Sequence, residues 1–383
     1  MAENLIPFRW PEGWSDANLL AETPFNCLLV EGTQSGAPVL SGIRVLTAPP
    51  AEVHLLEGVA PGTRASRKGD GSADSGPTGK PWIDANGWQI ELARALHPGK
   101  TIWVEHEAGR DLLLSVADAA AYGGRWVVTL PRTVRDGIEN GEGAAESAWK
   151  ALTAAVRFFT RHSGWESFEP VASVGLLSDF GKDVAFLAGE FLNLAARRPL
   201  PVRILTADSM AGLPCIVHMD EHPPDAARRD ALLGFAEAGG LVISSGALTS
   251  LPYRGPAPGY AFARVGKGRV VRPVEPWSDP YQLAADVHLL VTREQDVIRL
   301  YNGASLNVRY LQDRTGTRGV VHLLNFAGTP GAHPVTVALA RRWKRARLLG
   351  FDRAESAAIE PVRYGIEIPL PDFSTYLAIE LEA

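Results

Sequence analysis

The stretch from residue 170 to 246 leaves the fewest architectures open. The strand-like "SVGLLSD" leads into a helix with Val184, Leu187, Ala188, Phe191, Leu194 and Ala195 on one face, and then into "VRILT". A further strand, "CIVHMD", precedes the helix "DAARRDALLGFAEAGG", whose glycine pair is a C-terminal stop, and the strand "LVISSG" follows. A β-α-β-β-α-β order describes a doubly wound, flavodoxin-like sheet.

The flanking parts differ from this unit. Eight of the ten tryptophans precede residue 166, among strand-like runs at 25–31, 42–48, 100–107 and 125–131. Helical patterns separate the later runs, including "RDLLLSVADAAAYG" and a segment with Trp149, Leu152, Val156 and Phe159 at helical spacing. Strand alternating with helix implies a parallel sheet or barrel. Residues 58–80 turn to Gly, Ser, Pro and charge, the composition of a long loop. After "VGKGRVVRP" and the helix-like "PYQLAADVHLLV", six short runs from "LNVRYLQD" to "TYLAIELE" recur at near-regular spacing, which reads as an antiparallel β-sandwich. At 383 residues the chain is longer than one core usually supports. The expected units are 1–168, 169–275 and 276–383.

A net charge of −5 without blocks of like charge gives no footprint for nucleic acid or for an anionic membrane surface. No run reaches transmembrane length, and no basic segment followed by an apolar one opens the chain. A soluble protein is expected, cytoplasmic rather than secreted. Cys27 and Cys215 each lie inside an apolar run and read as buried thiols. No Walker loop, dinucleotide fingerprint, G-x-S-x-G elbow or paired C-x-x-C occurs, so no cofactor is expected. "HMDEH" sets His218, Asp220 and His222 at alternate positions, but the following "PP" breaks the strand, and a polar strand end is the better reading than a metal site. Asp179, at the end of "GLLSD", lies at the equivalent edge and could join a ligand site there.

"GKPWIDANGWQIELARAL" at 79–96 gathers two tryptophans, Asp84 and Asn86 at a helix start. Asp84 or Asn86 would cap a helix that buries Trp88, Leu92 and Leu96. The alternative is the lip of a sugar site, since the apolar face of a pyranose stacks on an indole. Trp82, in the loop, is the best stacking candidate; Trp88 and Trp103 read better as core.

Taken in order, these parts resemble the glycoside hydrolases of the family-42 β-galactosidase type, with motif-level likeness in "AEAGGLVISSG" and "VGKGRVV". The resemblance implies an α/β multidomain chain: a TIM-barrel-like domain, a flavodoxin-like or class I amidotransferase-like domain and a C-terminal antiparallel β-sandwich. A full barrel needs about 250 residues, so the Trp-rich first part is expected to be a reduced, degenerate barrel. The family's Asn-Glu pair is absent from every strand end, so no catalytic residue carries over by motif. The middle domain lacks a cysteine on the turn after its central strand and would serve packing or assembly.

Hydrolysis of a glycoside needs two carboxylates across a cleft, placed in a barrel at the carboxyl ends of strands. Glu31, Glu105 and Glu107 end strand-like runs and Asp84 precedes a helix; these are the acid and base candidates, with Trp82, Trp88 and Asn86 as substrate-binding candidates. The plainer alternative for each is a solvated strand-end charge or a cap. The expected partner is a carbohydrate. A non-catalytic carbohydrate-binding protein, or a homo-oligomer assembled through the middle domain, is the alternative function.

Overall fold

The computed structural model describes residues 5–383 except 12, 15–16, 32–40, 64–65, 68–72, 75–82, 206–209, 247, 249–250, 258, 292–295, 304–305 and 331–332. It is a mixed α/β chain carrying several sheets, as the sequence predicts.

Strands Pro7–Arg9, Cys27–Leu29 and Arg44–Leu46 run parallel, and so do Val53–Glu57, Thr101–Glu105 and Gly124–Trp126. The two sets join edge to edge: Phe8 bridges Val128 in parallel register, and the Arg9 amide donates to the Val128 carbonyl at 2.8 Å. Six parallel strands thus follow the spatial order 44–46, 27–29, 7–9, 124–128, 101–105, 53–57. The four inner strands are covered on both faces and read as apolar runs, whereas the edge strands 44–46 and 53–57 are partly exposed. One face turns Phe8, Leu28, Ile102, Val104, Trp126 and Val128 toward helices α1 (Gly87–Leu96), α2 (Leu112–Ala121) and α4 (Gly143–Arg161), beyond the short α3 (Arg132–Glu139). The other holds a smaller core of Leu5, Cys27, Leu29, Val53, Trp103 and Val127.

Two details differ from the sequence reading. Asn86 occupies the N-cap position of α1, but its side chain makes no cap hydrogen bond there. That helix buries Gly87, Ile90 and Ala93, while Leu96 is 57% exposed. Helix α2 is capped as chemistry favours: Asp111 accepts from the Leu113 and Leu114 amides at 2.9 and 3.0 Å. Its second oxygen accepts from Thr375 Oγ1 at 2.9 Å, tying this helix start to the C-terminal part.

In the middle, the parallel strands lie in the order Val202–Leu205, Val174–Ser178, Cys215–Met219, Leu241–Ser244, Gly268–Pro273, followed by the antiparallel Tyr260–Val265 and Arg254–Ala257. Helices α5 (Lys182–Arg197) and α7 (Pro280–Leu290) cover one face through Phe191, Ala195, Leu283 and Val287; α6 (Ala226–Glu237) covers the other through Leu232 and Ala236. The two cysteines are free and buried, as expected.

The C-terminal part holds a six-stranded and a four-stranded antiparallel sheet. Alternation along the six-stranded sheet serves two cores: Val321, Leu323, Leu377 and Ile379 face the four-stranded sheet, whereas Val320, Leu324, Tyr376 and Ala378 join the core of the N-terminal part. A buried ion pair between Arg309, on the strand Leu306–Gln312, and Glu91 of α1 crosses the same junction, with the guanidinium 4.5 Å from the Tyr122 ring.

Candidate functional site

Strand alternation gathers charge at one end of the N-terminal sheet. Arg9 is the register partner of Leu29, and Glu31 lies two residues past Leu29; Glu105 lies two past Trp103, and Glu57 is its register partner. In a strand, residues two apart share a face. All four charged side chains therefore project from the face of the smaller core, at the carboxyl ends of parallel strands. Arg9 stands between two of them: its guanidinium pairs with Glu105 and lies 3.6 Å from Glu31. Glu31 is well exposed and Glu105 partly so, and solvent reaches the cluster.

A buried network supports this edge. The Asn86 amide nitrogen donates to the Val59 carbonyl at 2.9 Å and its oxygen accepts from the Val59 amide at 2.8 Å. The Gly58 amide in turn donates to the Glu105 carbonyl at 2.8 Å, so Asn86 fixes the segment that leaves Glu57. Asn86 is itself held by Asp118 of α2, which accepts from its backbone and side-chain N–H groups at 2.8 and 2.9 Å. Complete burial pushes the Asp118 carboxyl up to about 6 despite those two hydrogen bonds. Gly58 is required here: a Cβ would lie 2.4 Å from Val104 and 2.7 Å from the Asn86 oxygen.

His106 follows Glu105 and turns to the opposite face, its ring stacked on Trp126 at 5.2 Å. Its Nδ1–H donates to the Glu107 carbonyl at 2.8 Å, and burial holds the imidazole below its usual range, hence neutral. Its Nε2 is buried with no partner among the described residues.

Of the candidates read from sequence, Glu31 and Glu105 come together on Arg9. Glu107 is exposed just past them. Asp84 ends the short strand Ile83–Asp84, paired with Gly62–Thr63. Asn86 is 1% exposed, with its amide committed to Val59 and Asp118. Trp88 stacks on Phe180, and a Cβ on Gly189 would lie 2.9 Å from its ring, so it packs α1 against α5. Trp82 lies outside the described residues. Six of the eight early tryptophans, at 10, 14, 103, 126, 149 and 165, are buried core. Sequence reading passed over Arg9, Glu57 and Asp118.

The second place where a doubly wound sheet offers a ligand crevice is the switch point between the strands 174–178 and 215–219. Here that crevice is filled from within. Asp179 accepts from the Gly181 and Glu221 amides at 3.0 and 3.2 Å. His218 bonds Ser244 Oγ at 3.0 Å and Asp220 at 2.9 Å, and Arg228 donates to Asp220 at 2.8 Å. Burial pushes the Asp220 carboxyl up, but the bonds from His218 and Arg228 outweigh it and hold the group below the usual carboxylate range. Ser244 and His218 are 0% and 1% exposed, so this Ser-His-Asp arrangement is sealed from any substrate and acts as a strand-end lock. No cluster of three metal-ligating side chains occurs among the described residues. No described helix is long and apolar enough to cross a membrane.

No protein-family model matches the sequence, and no curated protein matches it in sequence. Solved structures do match in fold. A family-42 β-galactosidase from G. stearothermophilus is 14% identical with a TM-score of 0.53, over 78% of this chain and 56% of that one. The α-L-fucosidase isoenzyme 2 of Paenibacillus thiaminolyticus is 12% identical with a TM-score of 0.52, over 77% and 62%. A β-galactosidase from Bacillus circulans sp. alkalophilus is 10% identical with a TM-score of 0.53, over 78% and 58%. The chain thus has a fold like that of the family-42 β-galactosidases, and its matches span 56–62% of those proteins' lengths.

Proposed function

We propose that the chain is a glycoside hydrolase-like protein that takes a carbohydrate at the carboxyl edge of its N-terminal parallel sheet. In this reading residues 1–168 are a reduced TIM-barrel-like unit, 169–275 a flavodoxin-like or amidotransferase-like unit and 276–383 a β-sandwich. The observation that carries the proposal is the Arg9 guanidinium set between Glu31 and Glu105 at the carboxyl ends of parallel strands, where barrels place their chemistry. Arg9 offers forked donors and Glu31, Glu57 and Glu105 offer acceptors, the complement of vicinal hydroxyls. Asn86 is the positioning residue for Glu57 through Val59; Glu107, just past Glu105, borders the site, and Trp88 braces α1.

Sugar binding is favoured over turnover because both carboxylates already serve as partners of Arg9, whereas a glycosidase acid must carry a proton. A catalytic version of the same site uses Glu31 and Glu105 as the pair, and what favours it is that one guanidinium faces both. Calorimetric titration with galactose, fucose and their oligosaccharides, alongside a panel of nitrophenyl glycosides, decides between them. Binding weakened at least tenfold by Arg9→Ala and by Glu105→Gln, without turnover, is the expected result. Turnover abolished by Glu105→Gln supports the catalytic version. Unchanged binding in both variants would sink the site.

A further inference from the structure

The outer face of the four-stranded sheet, formed by Ile298–Tyr301, Thr336–Leu339, Gly365–Pro369 and Glu360–Val362, carries an open groove of about 740 Å³. Four aromatic side chains are strongly exposed among the described residues, Phe186, Tyr281, Tyr301 and Tyr364, and two of them line this groove. Tyr364 is 71% exposed and Tyr301 43%. Exposed aromatic rings lose hydrophobic stabilisation in water, so two in one groove mark a surface that gains by being covered.

The floor between them is small and polar at its sides. Ala338 is in register with Arg299 on one neighbouring strand and with Glu367 on the other, which leaves a dip between a donor and an acceptor. Asp296 accepts from Arg299 Nε and Nη2, which fixes the guanidinium at the side of this dip. Arg342 and Arg363 stand at the far end, with the Arg363 guanidinium 5.0 Å from the Tyr364 ring. The hairpin that carries Tyr364 closes on Gly365, which has φ +134°, and a Cβ there would fall 1.9 Å from the Leu339 carbonyl oxygen, so the turn takes only glycine at this position. Tyr301 and the base of that hairpin are four register steps apart, roughly 13 Å along the strands.

We infer that this face binds an oligosaccharide chain, with the two tyrosines stacking on pyranose faces and Arg299 and Glu367 reaching the hydroxyls between them. Rings set apart across a polar floor match a ligand whose apolar faces alternate with hydroxyls. A protein partner would call for a continuous apolar patch. The inference rests on the reading of the chain as a carbohydrate-binding protein, but it uses a different surface from the Arg9 site.

Electrophoresis of the full chain through native gels containing soluble galactan, xyloglucan or arabinogalactan tests it. The expected result is retardation of the wild type by at least one polysaccharide and at least fivefold weaker retardation of the double variant Tyr301→Ala/Tyr364→Ala, with Tyr281→Ala, an exposed tyrosine outside the groove, retarded like wild type. Both tyrosines are exposed, so an unchanged thermal transition of the double variant verifies its fold, and Arg342→Ala serves as a milder second variant. Wild type passing every gel unretarded overturns the inference. So does a double variant retarded like wild type; if Arg9→Ala alone then loses retardation, the sheet-edge site stands and this surface falls.

Discussion

At the scale of single residues, the support behind the sheet edge depends on Asp118, a carboxyl buried in an alanine-rich helix. Burial raises it from 3.8 to about 6, and the Asn86 hydrogen bonds offset only part of that. A raised folded value means the protonated form is favoured on folding. The contribution is therefore present below about pH 4 and is lost as the pH rises through about 6. Two units correspond to about 3 kcal/mol. Asp118→Asn keeps an acceptor for both Asn86 N–H groups and removes the titration. Urea denaturation at pH 4 is expected to give the two proteins similar stability, and at pH 7 Asp118→Asn is expected to be the more stable by about 1–3 kcal/mol. A difference that does not change between pH 4 and pH 7 would contradict the assignment.

At the scale of elements, α1 is the joint of the molecule, because its two faces meet different partners: Ile90 and Ala93 enter the core of the N-terminal sheet, while Glu91 pairs with Arg309 of the six-stranded sheet. Both ion-pair side chains are nearly buried, at 13% and 7% exposure. Removing one partner of such a pair strands the other charge, at about 3–5 kcal/mol; Arg94 also acts on Glu91 and keeps the cost toward the lower end. Arg309→Met is expected to destabilise by about 3 kcal/mol, and adding Glu91→Gln to recover much of that loss. A double-mutant cycle by chemical denaturation checks it, and strict additivity would show that the pair does not join the elements. What the sequence shows at this scale follows from length. The helices 143–161 and 182–197 and the strands of the middle sheet sustain one period long enough to be read. The strand 7–9 has three residues, and "VHLLE" interleaves His and Glu with its apolar positions, so neither stands out. For the same reason Glu31 and Glu105 are legible as strand-end carboxylates, whereas Arg9, which brings them together, sits in a strand too short to notice. The tryptophans mislead because abundance does not report exposure: six of the eight early ones fill the core.

At the scale of the whole molecule, the cores are shared unequally. The N-terminal core includes Leu311, Val320, Leu324, Tyr376 and Ala378 of the C-terminal sheet, so these two parts lose a common interior if either opens. The middle sheet has cores of its own, and the contact that Trp88 makes with it is only half-buried. Cooperative units tend to follow shared burial. The two cysteines report on this division, because Cys27 lies in the N-terminal sheet and Cys215 in the middle one, both 0% exposed. Burial pushes the Cys27 thiol up to about 11 and the Cys215 thiol higher still, so neither is a reactive thiolate in the folded protein. Labelling with a disulfide reagent near pH 8 is expected to be negligible in water. In moderate urea Cys215 is expected to label several-fold faster than Cys27, since its sheet can open while the two-part core around the N-terminal sheet stays closed. Cys27→Ala and Cys215→Ala variants assign the two rates. Equal rates across the urea range would mean that all three parts unfold as one unit, and that the half-buried α1–α5 contact couples them more tightly than its area suggests.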